Sequence, residues 1–151
     1  MKPPCMIVVQ YVLPAIRVLI MKNLIEKHNM RKIDVSAKME LTPAAITQYM
    51  KGERGATFVD EILKSEKTMK ILSELTEALA KQNMPPETII EKLCKACIVI
   101  RSEGIICGLH QKELPTLKEL GCEICEPSNA DYFVNRIDCF SEKSTRTHSE
   151  V

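Results

Sequence analysis

The sequence predicts an all-α protein: a helix-turn-helix unit followed by a helical, cysteine-rich metal-binding segment. Three observations carry that prediction. Apolar residues recur at three- and four-residue intervals in one segment after another. The stretch Lys32–Arg54 reads as a helix, a tight turn and a second helix that opens on Thr42-Pro43 and stops at Gly52. Three Cys-x-x-Cys or Cys-x-x-His pairs then follow one another in the second half of the chain.

In chain order, residues 1–12 are ambiguous: Pro3-Pro4 start extended, and Met6 to Leu13 suit strand or helix by composition. Pro14 fits the first turn of a helix that runs to about His28 and stops at Asn29. Ile16, Leu19, Ile20 and Leu24 recur along it, so its apolar part is expected beneath the next two helices. Arg17, Lys22 and Lys27 stay solvated, either near a DNA backbone or simply as a wet face.

In Lys32–Arg54, Ser36 is expected where the two helices cross, and Ile46 is the apolar plug of the second. Thr42 is a good N-cap, and Pro43 takes the first helical position, where its missing N–H costs nothing. Ala45, Ile46 and Tyr49 point toward the body. Ala44, Thr47, Gln48 and Lys51 share the other face, which is small, polar and basic as a major-groove helix must be. Glu40 is a departure, because that turn position often needs φ > 0 and favours Gly; a Glu there costs on the order of 1 kcal/mol.

Phe58 to Gln82 is helical again, with a break near Ser65-Glu66 and an apolar stripe of Phe58, Ile62, Ile71, Leu72, Leu75 and Leu79, with neighbouring Val59 and Leu63, that is core or dimer seam. Asn83 to Pro86 is the clearest linker, and a helix from Pro86 or Glu87 stops at Gly104. His110 either starts a helix over Gln111 to Leu120 or is a ligand. Ala130 to Ile137 reads as a short capped helix, and residues 141–151 as a disordered tail. The expected units are 1–57 for DNA binding, 58–84 for connection and dimerisation, 85–140 for the cysteine segment, and the tail.

Net charge is +1 but unevenly spread: residues 1–57 carry nine Lys/Arg against four Asp/Glu, the rest twelve against sixteen. A basic first third fits phosphate attraction, and the acidic remainder does not. Gln10, Pro14 and Arg17 interrupt the apolar N-terminal run, so no segment approaches the roughly 20 apolar residues of a membrane span, and no cleavage site follows for a secretory signal. The chain is expected to be cytoplasmic, where seven cysteines are metal ligands or redox groups rather than disulfides.

Cys94-x-x-Cys97, Cys107-x-x-His110 and Cys122-x-x-Cys125 share one gap, which lets two side chains converge on an ion. Cys94, Cys97, Cys122 and Cys125 make a tetrahedral zinc clip. With Cys107, sheltered by Ile105-Ile106, the set suits an iron–sulfur cluster, or a zinc site beside reactive thiols. The bland alternative is cysteines acting as small hydrophobes, the expectation for Cys5 and Cys139. No βαβ pattern supports a thioredoxin-like Cys-x-x-Cys.

Residues 13–55 resemble the Cro/repressor (xenobiotic-response-element) type of helix-turn-helix regulator. More closely, MKPPCMIVVQYVLPAIRVLI followed by TPAAITQYMKGERG is similar to a set of archaeal predicted transcriptional regulators. The resemblance implies sequence-selective binding of double-stranded DNA, with Pro43, Ala44, Thr47 and Gln48 as the matching recognition positions. Lys51 and Arg54 are expected on phosphates. The expected whole is a homodimeric, non-enzymatic transcription regulator that touches no membrane and senses redox state or metal through its cysteines. The alternative is a protein-interaction adaptor with a structural zinc clip, which predicts no salt-sensitive DNA affinity. A redox enzyme is the third class, and no His/Asp or cofactor-binding constellation supports it.

Overall fold

A computed structural model describes residues 2–52, 55–81, 84–119 and 121–125. Every regular element among them is helical. The chain begins with α1 (Pro4–Ile7), a π-helical segment (Val8–Val12) and α2 (Leu13–Glu26), continuous with one another. Then come α3 (Lys32–Lys38), α4 (Pro43–Met50), a 3₁₀ turn (Ala56–Phe58) and α5 (Val59–Leu63). The remainder is α6 (Glu66–Lys81), α7 (Pro86–Ser102), α8 (Cys107–Glu113) and α9 (Thr116–Glu119).

The ambiguous N-terminal residues are helical, and Pro14 does not start the helix but lies within it. Proline has no N–H to give and its ring crowds the preceding turn. The π segment accommodates it, with the Leu13 N–H reaching back five residues to the Val8 carbonyl. The expectation about membrane spans is corrected by the same fact: Pro4–Glu26 is a 23-residue helix, long and apolar enough to cross a membrane by length and composition. In this fold it is the centre of the core. Ala15, Ile16, Val18, Leu19, Ile20, Met21 and Leu24 are all buried, which leaves little of α2 besides Arg17, Lys22 and Glu26 in water. A helix apolar on nearly every side must be covered on nearly every side. The covers are α3, α4, the 3₁₀ turn, α5 and α6.

α6 supplies the largest of those covers. Thr68, Leu72, Leu75, Thr76 and Leu79 recur at helical spacing and are buried, with α2 beneath them and α7 beside. The stripe that reads as core or dimer seam is therefore filled within one chain; Leu63, next to it, is exposed. The break expected at Ser65-Glu66 is there. Ser65 Oγ accepts from the Thr68 N–H at 3.1 Å and donates to Thr68 Oγ1 at 2.8 Å, capping α6 while both residues stay buried. Residues on either side of the boundaries expected at 57/58 and 84/85 belong to one hydrophobic cluster running from Ile7 to Ile106.

After Gly104 the chain turns into α8, which returns to the N-terminus. Glu113 accepts from Lys2 Nζ at 2.6 Å and from the Tyr11 hydroxyl at 3.3 Å, and the two side chains hold α8 against α1 and the π segment. His110 sits inside α8 rather than before a helix over Gln111 to Leu120. Pro115 cannot continue the ladder and pushes Leu114 into an extended conformation, so the helix ends at Glu113 and α9 begins anew at Thr116. The helix expected at Ala130 to Ile137, the tail at 141–151 and Cys139 lie outside the described residues, as does Arg54.

Gly55 closes the connection from α4 onto α2. Its φ is +76°, and a Cβ built on it would meet the Pro14 carbonyl oxygen at 2.5 Å. Both the backbone conformation and the contact exclude a side chain, and the obstructing atoms are main chain. Gly55→Ala is expected to lower stability by at least about 2 kcal/mol, read from urea or thermal unfolding.

Candidate nucleic-acid interface and cysteine segment

The turn between α3 and α4 is built by main-chain bonds around Glu40. The Leu41 N–H donates to the Ser36 carbonyl at 2.9 Å and the Glu40 N–H to that of Ala37 at 3.3 Å, a Schellman closure with Glu40 in the left-handed position at φ +51°. The residue that departs from the usual Gly thus adopts the conformation the position demands, at a strain of about 1 kcal/mol. Ser36 is buried between the helices, its hydroxyl donating to the Ile33 carbonyl at 2.8 Å, and so adds no unsatisfied group where they cross. Thr42 Oγ1 accepts from the Ala45 N–H at 3.1 Å, the expected cap on α4.

α4 is anchored by its inner face. Ile46 is fully buried, Tyr49 nearly so, and Ala45 packs at the core edge. Its outer face carries Pro43, Ala44 and Thr47 exposed, Gln48 half-buried and Lys51 exposed just past the helix, as the spacing predicts. No acidic residue occurs in Pro43–Met50. Thr47 Oγ1 donates to the Pro43 carbonyl at 3.1 Å, which leaves its oxygen lone pairs and its methyl as the outward contacts.

The charge split of the sequence has a local counterpart. In α5 to α7, Lys64, Lys81, Lys92 and Lys95 pair with Glu61, Glu77, Glu74 and Glu91. Among the described residues Arg17, Lys22, Lys32, Lys38 and Lys51 make no ion pair with a carboxylate. The exception in this region is Arg31, whose guanidinium grips Asp34 through two bonds of 2.8 and 3.1 Å and holds that carboxyl below its ordinary range.

The cysteines fall into two groups. Cys94 and Cys97 lie one turn apart on α7, the first exposed and the second half-buried. Burial, reinforced by the neighbouring Cys94 and opposed by Arg101, pushes the Cys97 thiol up to about 11. Cys107 opens α8, and burial first, then Cys125 and Cys122, raise its thiol as well. His110, 4% exposed, has its Nε2 2.7 Å from the Lys2 carbonyl oxygen. A carbonyl only accepts, so Nε2 carries the proton.

A metal centre of all five cysteines is not assembled here: among the described residues no three His, Cys, Asp or Glu side chains gather closely enough to hold an ion. The tie between α8 and the N-terminus through Lys2, Tyr11 and Glu113 has no local sequence signal, since its partners lie more than a hundred residues apart.

In the reduced, metal-free protein, alkylation near pH 8 is expected to modify Cys94 well before Cys97. The Cys97 rate should climb with pH toward about 11 as its thiolate forms, measured by mass spectrometry of quenched samples. No protein-family model, curated protein or solved structure matches the chain.

Proposed function

We propose that this chain is a sequence-selective, non-enzymatic regulator of transcription that reads double-stranded DNA with α4, most naturally as a homodimer on paired half-sites. The observation that carries the proposal is the outer face of α4: a capped, acid-free helix anchored by Ile46 and Tyr49, with small and polar residues outward and unpaired cations nearby. Such a helix fits a major groove about 12 Å wide without electrostatic penalty. Gln48 reads adenine edges, Thr47 supplies a short polar or methyl contact, and Ala44 packs on a thymine methyl. Pro43 brings the start of the helix close to the backbone, and Lys51 and Arg54 serve phosphates.

The input of the proposed regulator is the cysteine segment, taking zinc or an iron–sulfur cluster. What favours it is that Cys107, Cys122 and Cys125 lie close enough to act on one another electrostatically, on a segment whose first helix is tied to the N-terminal helix. Anaerobic purification followed by metal analysis and a visible spectrum tests it. Iron with sulfide and a brown colour indicate a cluster, stoichiometric zinc in a colourless protein a clip, and neither metal removes the sensor.

The DNA reading is tested by selecting a preferred duplex from a random library and measuring anisotropy. Gln48→Ala and Thr47→Ala should each cost about 1–3 kcal/mol on the preferred site and little on random sequence. Binding that ignores both substitutions assigns base reading elsewhere, and a wild-type protein with no salt-sensitive affinity for any duplex returns the chain to the adaptor class.

A further inference from the structure

Three cations stand out along α2, namely Arg17, Lys22 and Lys27, and the structure separates them. Their spacing carries them around a helix of about 3.6 residues per turn rather than along one side. Lys27 lies toward α6, where Lys81 first, then His28 and Lys27, hold the Glu77 carboxyl below its ordinary range. Lys22 is exposed and makes no ion pair or side-chain hydrogen bond among the described residues. Arg17 alone is joined to α4: its Nη1 donates to the Tyr49 hydroxyl at 3.4 Å.

Tyr49 is 4% exposed, fixed by the packing that seats α4 on α2, while Arg17 is exposed. A buried, rigid phenol therefore holds the end of a solvent-facing guanidinium at the border between α2 and the last turn of α4. That border is also where the chain leaves α4 through Lys51 and closes at Gly55 against Pro14, one turn before Arg17 on α2. One donor of the guanidinium is used by Tyr49, and among the described residues no carboxylate pairs with the others, which remain for an anion. A guanidinium already oriented loses less rotamer freedom on meeting a phosphate than a free lysine does.

We propose that Arg17, positioned by Tyr49, is a further phosphate-binding residue of this protein, gripping the nucleic-acid backbone beside α4 and setting the depth and angle at which α4 enters the groove. The inference rests on the DNA reading of α4, and it names a contact that lies outside the helix-turn-helix stretch itself. The counterion released by one phosphate contact on B-DNA gives it a distinct signature, a change of about 0.9 in the slope of log K against log salt.

The test compares the full chain with Arg17→Gln, Arg17→Lys and Tyr49→Phe on one preferred and one random duplex across a salt series. Arg17→Gln should lower the salt slope by about one and weaken both duplexes by the same factor, with unchanged circular dichroism and melting temperature. Arg17→Lys should keep the slope but bind more weakly, and Tyr49→Phe should keep the slope while losing part of the affinity. An Arg17→Gln protein with the wild-type slope and affinity overturns the assignment and leaves α4 reading intact. If the wild-type chain has no salt-sensitive affinity, the DNA reading itself fails, and the proposal with it.

Discussion

The structure depends on covering α2. A helix with Ala15, Ile16, Val18, Leu19, Ile20, Met21 and Leu24 all buried cannot stand in water, because each large side chain is worth roughly 1.5–3 kcal/mol only when enclosed. Five neighbouring elements meet that need. α3 and α4 are too short to persist alone, since isolated helices under about 12 residues are marginal. They exist because Val35, Ile46 and Tyr49 are drawn onto α2. The outer face of α4 is thus a by-product of how completely its inner face is committed, and the same commitment keeps the outer residues in a fixed orientation.

Much of this was legible in the sequence wherever the determinant was local. Thr42-Pro43 announces a capped helix start, Ser65-Glu66 a break, and Ser36 and Ile46 a close crossing, and each is found as expected. Glu40 is instructive, because the position's need for φ > 0 could be inferred even though the residue argued against it. What was not legible depends on distant partners or on geometry that composition does not encode. Pro14 looks like a helix start until a π turn allows the helix to pass through it. His110 looks like the beginning of a helix until Pro115 moves the boundary. The sharing of one core by residues on both sides of the expected boundaries follows from packing, which no linker signal reports.

Electrostatics divide the molecule more finely than net charge does. Four lysines from α5 to α7, Lys64, Lys81, Lys92 and Lys95, are answered by glutamates on the same or the neighbouring helix, whereas Lys67 and Lys70 of α6 make no ion pair among the described residues, so that side presents a mixed surface. Exposed pairs of this kind add little stability, but they cancel long-range field. Around α2 to α4 the cations are largely unanswered and their field extends into solvent, damped over roughly 8 Å at physiological salt. The asymmetry concerns orientation: in the proposed DNA reading it would set the side from which the duplex approaches.

The π turn at Val8–Val12 has a consequence for phase. Bonding back five residues instead of four winds an additional residue into the helix, so the two ends are rotated relative to a regular α-helix of the same length. The face that α1 and the π segment offer to α8 and the face that α2 offers to α4 are therefore set independently, although they belong to one rod. A chain that lost or gained a single residue there would turn the N-terminal end by about 100° relative to α2 and carry Ile7 and Val8 out of the core they share with it. The phase set by the π segment is therefore what lets one continuous rod bury Ile7 and Val8 at one end and Ile16, Ile20 and Leu24 at the other.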